Sequence, residues 1–272
     1  MVLKFSVLLS LYYKESPDFL RQSLNSVFHQ TLPPDEVVLV EDGPLTPHLY
    51  NVVNEFSQKY SELKIVSLAE NGGLGKALNE GLKHCSYELV ARMDTDDICK
   101  SYRFEKQVAV FAQHPEIDVV GAWIDEFSEG TLDISSKRKL PEAHEDIMRF
   151  GKKRNPMNHP VVMFRKKAVE KVGSYQPFYL FEDYYLWVRM LLNGSRFYNI
   201  QEALLYFRFS PDMFKRRGGF KYACVEAHFQ WALYKLGYIG FVKSLLNVGI
   251  RLGTRLVPNS FRGWIYKNML RK

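Results

Sequence analysis

Four short apolar runs, each followed by a stretch of helical period, fill the first hundred residues and leave few folds open. The runs cover residues 5–11, 37–40, 63–68 and 88–93, lengths that suit buried strands rather than helices. Between the first two, Leu20, Leu24, Val27 and Phe28 recur at i, i+4, i+7 and i+8, which places them on one helix face. Ser16-Pro17-Asp18 supplies a cap residue, a proline at the first helical position and an acid in the first turn, and Pro33-Pro34 ends the segment. Residues 49–60 read as a second helix, and Leu74, Ala77, Leu78, Gly81 and Leu82 mark a third. Strand–helix alternation of this kind demands a parallel sheet with right-handed crossovers. In such sheets ligands sit beyond the carboxyl ends of the strands. Residues 10–15, Glu41-Asp42, Asn71-Gly72-Gly73 and 94–97 occupy those ends and should converge.

Beyond residue 100 the pattern changes. Phe104, Val108 and Phe111 form a helix face, and 117–123 reads as a strand. Residues 128–160 are polar, with a short helix expected over 142–150 and a strand over 161–164. Glu182-Asp183 opens a helix bearing Leu186, Trp187, Met190 and Leu191, closed by Asn193-Gly194. Residues 197–200 and 204–209 read as two late strands. From 220 to 272 the chain is helical in period and rich in Tyr, Trp, Lys and Arg. On a wheel for 241–252, Phe241, Val242, Leu245, Leu246, Val248 and Leu252 oppose Lys243, Asn247 and Arg251, with Ile250 at the border. Such a helix suits either its own domain or a membrane surface, and the aromatic, basic end at 262–272 favours the membrane.

The chemistry concentrates in Asp94-Thr95-Asp96-Asp97, three carboxylates in four residues after a buried strand. Like charges this close are tolerated when a cation is shared between them. Mg²⁺ and Mn²⁺ take oxygen ligands and bind one or two carboxylates plus substrate phosphates. The plainer alternative is that Asp96 or Asp97 caps the next helix. An EF-hand is excluded, because its turn glycine would fall at Cys99. Asn71-Gly72-Gly73-Leu74-Gly75-Lys76 is a glycine turn into a helix, where backbone can approach a phosphate or sugar. Its spacing matches neither a Walker loop nor a dinucleotide fingerprint, which excludes a dehydrogenase. Asp42 can accept from a base N–H or ribose hydroxyl, or cap the turn at Gly43-Pro44.

Six segments occur in order: Ser10-x-Tyr12 with Glu15; Ser23-Leu24-x-Ser26-Val27-x-x-Gln30-Thr31; Val40-Glu41-Asp42-Gly43; Asn71-Gly72-Gly73-Leu74-Gly75-x-Ala77-Leu78-Asn79; Met93-Asp94-Thr95-Asp96-Asp97; and Phe181-Glu182-Asp183-Tyr184-x-Leu186-Trp187-x-Arg189. Over residues 3–219 the chain resembles the inverting family 2 glycosyltransferases of bacterial capsule, exopolysaccharide and O-antigen synthesis. The resemblance implies the α/β GT-A fold, a Rossmann-like, mostly parallel sheet flanked by helices. A nucleotide-sugar half would span 1–100, an acceptor half 101–219, and a basic helical extension 220–272. It implies a nucleotide-diphosphate sugar framed by Ser10, Tyr12 and Glu15, with Asp42 on the base, Gly73 in the loop, and Lys76 and Arg92 near the diphosphate. Asp94 would face ribose or metal-bound water, and Asp96 would ligate Mn²⁺ or Mg²⁺ under the pyrophosphate. Asp97 would assist. Glu182 and Asp183 would form the acceptor-side pair, with Asp183 as base. Arg208, Arg216 and Arg217 would contact the nucleotide sugar, and Lys215-Arg216-Arg217 before Gly218-Gly219 either closes over the diphosphate or forms a solvated basic loop. Trp123, His159 and Trp187 are acceptor-side candidates, each with a structural alternative. The Gln-x-x-Arg-Trp motif of processive synthases is missing, which points to single-sugar transfer.

The net charge of +7 favours anionic partners, here a nucleotide sugar, a saccharide or lipid-linked saccharide acceptor and a membrane surface. Basic residues form no nucleic-acid reader motif, so nucleic acid is not expected. Cys85, Cys99 and Cys224 lack paired spacing and read as reduced thiols in a cytoplasmic setting. The apolar start lacks a small-residue cleavage site and meets charge at Lys14-Glu15, so it reads as a strand rather than a signal. The expected location is the cytoplasm, at the inner face of its membrane. A nucleotidyltransferase is a rival, but that class wants a glycine-rich, Arg-containing loop where Tyr12-Tyr13-Lys14-Glu15 stands. A non-catalytic binding protein is a second, disfavoured by the presence of both Asp96 and Asp183.

Overall fold

The computed structural model describes residues 3–128, 133–209 and 219–256. Strands β1 (Phe5–Leu11), β2 (Glu36–Glu41), β3 (Leu63–Ser67) and β4 (Leu89–Asp94) alternate with helices α1 (Pro17–Phe28), α2 (Pro47–Lys59) and α3 (Leu74–His84). They form a parallel array in the order β3-β2-β1-β4. Alternate side chains of β1 feed two cores. Phe5, Val7, Leu9 and Leu11 meet the apolar faces of α1, α2 and α4 (Arg103–Gln113). Leu8 points to the other face, with Leu78 and Leu82 of α3 and the aromatic side chains of α7 (Glu182–Leu192). Burial on both faces is why β1 and β2 read as unbroken apolar runs; β3, at the sheet edge, buries only Leu63. Ser16 occupies the α1 cap position without a side-chain bond; the Glu15 carboxylate takes the Ser16 N–H instead, at 2.8 Å.

The sheet turns mixed beyond β4. Strand β8 (Met163–Arg165) lies antiparallel between β4 and β6 (Ile117–Ser128), and β9 (Arg196–Phe209) runs parallel to β6. The two-residue strand β5 (Ile98–Cys99) joins the far side of β9, and β7 (Ile134–Arg138) pairs with β6. Two expectations change here. The strand expected over 117–123 runs on to Ser128, because Lys100 and Lys137 neutralise Asp125 within it. The two expected late strands are one, held along β6 with a register shift opposite Ala122 and Trp123.

Helix α5 spans His144–Gly151 and α6 spans Lys166–Lys171. The C-terminal pair is α8 (Gly219–Lys235) and α9 (Phe241–Leu256). Helix α8 is part of the second core: Phe229 stacks on Phe181 at 4.5 Å and Leu233 is fully buried. The boundary expected at 219 therefore coincides with the start of a helix packed into the domain. Among the described residues no helix is long and apolar enough to cross a membrane.

One buried ion network ties β1, β2 and β3 at the end of the sheet away from the ligand edge. Glu36, 2% exposed, accepts from Ser6 Oγ at 2.6 Å, from Ser86 N and Oγ at 2.8 Å each, and from Lys64. Burial alone would raise its carboxyl; the Lys64 ammonium and the serine donors outweigh that and hold it down to about 2. A depressed native value stabilises the fold above the unfolded carboxyl value, and the contribution is lost as pH falls toward the native one. Glu36→Gln is expected to lower stability by about 2 kcal/mol at neutral pH. Denaturant unfolding should find the gap to wild type closing as pH drops from about 5 toward 2.

Candidate active site

The register of the sheet brings the strand exits together. Ser10 lies beside Asp94 on one side and Val40 on the other, and Leu11 lies beside Glu41. The chain then turns sharply at each exit, leaving a cleft of about 2100 Å³ lined by these ends, by the start of α7 and by α9. The turn between β4 and β5 carries Asp94, Asp96 and Asp97, each offering an oxygen within 4.8 Å of the others.

Helix α1 braces that turn from below. Ser23 Oγ donates to the Asp94 carbonyl at 2.8 Å, Ser26 Oγ accepts from Cys99 N at 2.9 Å, and Gln30 Nε2 donates to the Lys100 carbonyl at 3.0 Å. Ser23 and Ser26, three apart, share one face of α1, and Gln30 follows just past its C-terminal end. Arg208 of β9 braces it from above. Its N–H donates to Asp97 Oδ1 at 2.8 Å and its Nε to the Asp96 carbonyl at 2.8 Å. The guanidinium stacks on Phe19 at 3.8 Å and lies over Phe127 at 4.7 Å.

The electrostatics are unbalanced toward acid. Asp97 is fully buried and its Oδ2 has no hydrogen-bond partner among the described residues. Burial, then the charges of Asp96 and Asp94, push its carboxyl well above the usual range. Burial and the neighbouring Asp94 and Glu15 raise Asp96 as well. Glu15 is raised by burial, against donors from Ser16 N and Thr95 Oγ1. Arg92 is the buried counter-charge. Burial disfavours its charge, but its ion pair with Asp94 keeps it protonated, while its Nε and Nη1 have no partner among the described residues.

Across this cluster, α7 presents Glu182 and Asp183 in its first turn, both lining the same cleft. Leu180 enters the helix with φ 66°, a left-handed backbone that turns the chain into the site. Asn155 Nδ2 donates to Asp183 Oδ2 at 2.6 Å. Burial raises the Glu182 carboxyl, and the Asp183 charge adds to it. Tyr175 is near enough to Arg92, Asp183 and Asp94 to feel all three charges. Its hydroxyl meets His159 Nε2 at 2.9 Å, and its backbone is held at both ends by Asn79. Burial beside Arg92 pushes His159 down, so it is neutral.

A glycosyl transferase family 2 model matches residues 6–173. A glycosyltransferase of Haemophilus influenzae is 46% identical over 99% of this chain and all of its own length. The UDP-Gal:α-D-GlcNAc-diphosphoundecaprenol β-1,3-galactosyltransferase of Escherichia coli is 40% identical over 99% of this chain and 97% of its own. The chain belongs to glycosyl transferase family 2. The amylovoran biosynthesis glycosyltransferase AmsE of Erwinia amylovora is 42% identical over 97% of this chain and 98% of its own. Among solved structures, TarS of S. aureus superposes with a TM-score of 0.66 at 23% identity, over 98% of this chain and 46% of TarS. Its 1–349 fragment in complex with UDP-GlcNAc gives 0.65 at 21% identity, over 98% of this chain and 72% of the fragment. These likenesses establish the GT-A-like fold, and the protein is a glycosyltransferase.

Of the residues singled out in the sequence, Ser10, Tyr12, Glu15, Asp42, Gly73, Arg92, Asp94, Asp96, His159, Glu182, Asp183 and Arg208 line this one cleft of the family 2 domain. Four need correction. Lys76 is exposed and off the cleft, because Ala77, Leu78 and Leu82 take the buried face of α3. Trp187 is fully buried and packs edge-on to His159 and Phe197, so no acceptor reaches it. Trp123 also lies outside the cleft lining, its Nε1 donating to the Leu140 carbonyl at 3.0 Å. Arg208 borders the cleft but spends its donors on the acidic turn and on Gln22 Oε1, at 2.7 Å. Arg216 and Arg217 lie outside the described residues. Sequence reasoning missed Tyr175 and Asn155: Tyr175 sits in no apolar period, Asn155 follows a basic run that gives it no role, and Asn79, which holds Tyr175, was the one signal in the sequence.

Asp42 has a definite structural task. Its Oδ1 accepts from Gly72 N at 2.7 Å, and its Oδ2 from Gly73 N and Asn71 Nδ2 at 3.0 Å each. The approach is close: a Cβ at Gly43 would lie 2.6 Å from Asn71 N. Gly73 caps α3 at φ 84°, which aims the helix N-terminus at the cleft. Asp42→Asn leaves one loop amide facing a donor, so thermal unfolding without ligand should report a loss of about 1–2 kcal/mol. A variant as stable as wild type would contradict this role.

Proposed function

We propose that the protein moves one sugar, with inversion, from a UDP-sugar to a saccharide linked to a lipid diphosphate in cell-surface polysaccharide synthesis. One observation carries the reading: Asp94 and Asp96 at the sheet edge and Asp183 on α7 line the same cleft. The galactosyltransferase that is 40% identical over nearly the full length of both chains is named for a UDP-sugar donor and a diphosphoundecaprenol acceptor. An acceptor of that class places the work at the membrane face that holds nucleotide sugars, the cytoplasmic one.

The residues fit a divalent cation. Asp94 and Asp96 would hold it, with Asp97 behind them, since Asp97 Oδ2 is buried and unpartnered among the described residues, and burial beside neighbouring carboxylates raises Asp96 and Asp97, a cost that added positive charge would relieve. Bound there, Mg²⁺ or Mn²⁺ supplies charge neutralisation for the departing diphosphate. The α3 N-terminus, held in place by the Asp42–Gly72–Gly73 bonds, flanks the donor, and Arg92 offers it a buried positive group. Asp183, oriented by Asn155, takes the proton of the acceptor hydroxyl as that oxygen attacks the anomeric carbon. A single displacement inverts the centre, so an α-linked donor yields a β-linkage.

Asp96→Asn should abolish the metal-dependent thermal stabilisation by UDP. Asp183→Asn should keep that stabilisation and lose transfer by roughly a thousandfold. Transfer that survives Asp183→Asn at near the wild-type rate would overturn the base assignment.

A further inference from the structure

Helix α9 is docked with its polar edge inward. Ser244 is buried and its Oγ donates to the Gln230 carbonyl at 3.1 Å. Asn247 Nδ2 donates to the Lys152 carbonyl at 3.1 Å and to Gln230 Oε1 at 2.8 Å. Arg251 pairs with the buried carboxylate of Glu226 and donates to the Lys153 carbonyl. The apolar residues face out: Phe241, Val242, Leu245, Leu246 and Ile250 are 49%, 71%, 56%, 61% and 66% exposed. An amphipathic helix serving only its own domain would bury that stripe. A contiguous exposed apolar patch marks an interaction surface.

Three observations say what covers it. The first is the aromatic border. Trp231 of α8 is half exposed, its ring is 5.2 Å from Tyr234, and Tyr234 is 5.6 Å from Phe241. Lys235 reaches over the Trp231 ring with its Nζ 5.2 Å from the centroid. Trp, Tyr and Lys at the margin of an apolar stripe suit the headgroup level of a bilayer. The second is charge. After Glu226 the sequence has eight Lys and Arg residues and no Asp or Glu, which complements an anionic lipid surface. The third is position. Phe241, Val242, Leu246 and Ile250 also line the cleft, so whatever covers the stripe stands at the cleft mouth.

We infer that α9 seats the enzyme on an anionic bilayer, with its apolar stripe in the headgroup–acyl boundary and the cleft opening at the lipid surface. The docking stands on the helix alone; its purpose, delivery of a membrane-anchored diphosphate acceptor to Asp183, rests on the function proposed above. The helix lies in the membrane plane rather than across it.

The test is co-sedimentation of the full chain with vesicles of phosphatidylethanolamine containing about one-third phosphatidylglycerol. Wild type is expected to bind these, to release at high salt, and to ignore neutral phosphatidylcholine vesicles. Leu245 lies in the stripe but not in the cleft lining. Leu245→Glu should cut vesicle binding about tenfold or more at unchanged thermal stability. It should keep transfer to a short-chain, water-soluble acceptor diphosphate while losing transfer to a polyprenyl acceptor in vesicles. Equal binding by Leu245→Glu and wild type would overturn the inference. So would a wild-type chain that ignores vesicles, the outcome if residues 257–272 cover the stripe, or one that forms a dimer in sedimentation velocity which Leu245→Glu dissolves. Vesicle binding that Leu245→Glu abolishes, with no transfer to any lipid-linked acceptor, would uphold the docking and remove the function reading instead.

Discussion

The hydrogen bond from Arg208 N to the buried Asp97 carboxylate spans 111 residues of sequence and fixes a turn that belongs to no strand or helix of its own. Asp94 ends β4 and Asp96 stands in that turn, so the placement of Asp96 depends on β9 as much as on β4. Strand β5 adds the second tie, pairing Ile98 and Cys99 with Tyr206 and Leu205. The stacked Arg208 guanidinium and the α1 ladder of Ser23, Ser26 and Gln30 close the turn from both sides. Residues 1–100 and 101–219 are therefore not separate folding units: without β9 the acidic turn would lose the N–H that half-satisfies Asp97.

The parallel half of the sheet was open to reading because double-sided burial leaves an unambiguous apolar run. The mixed half was not. Strand β6 continues through Asp125 and Glu126, which look like a strand's end until Lys100 and Lys137 are seen beside the first of them. Strand β7 is polar and half exposed, and β5 has two residues, so neither leaves a period to find. Side-chain roles followed the same division. Carboxylates at strand exits could be placed because topology alone sends them to the cleft. Arg208 and Trp187 could not, since a cation over a phosphate and a cation over a phenyl ring leave the same letter in the sequence, and so do a buried and a sugar-facing indole. Ser23 and Ser26 carried their information in helical phase, as two polar groups on one face of α1, with Gln30 just past its end.

The charge pattern of the cleft has a consequence for how it fills. Glu15, Asp94, Asp96 and Asp97 crowd together beside three buried arginines that are already engaged: Arg92 by Asp94, Arg103 by Gln107 and the Arg92 carbonyl, and Arg208 by the acidic turn and Gln22. A diphosphate arriving alone would meet a surplus of acid; a cation arriving alone would leave its outer ligands to water. Each lowers the cost of the other, so cation and donor should bind with positive coupling, reciprocal by linkage. Asp183 sits outside that cluster, at the start of α7 just after the positive φ of Leu180, and its Asn155 partner comes from the segment that follows α5. Asn79 belongs to α3, whose N-terminus opens on the glycine turn, so the segment leading to Asp183 and the loop beside the acidic cluster are joined through one helix.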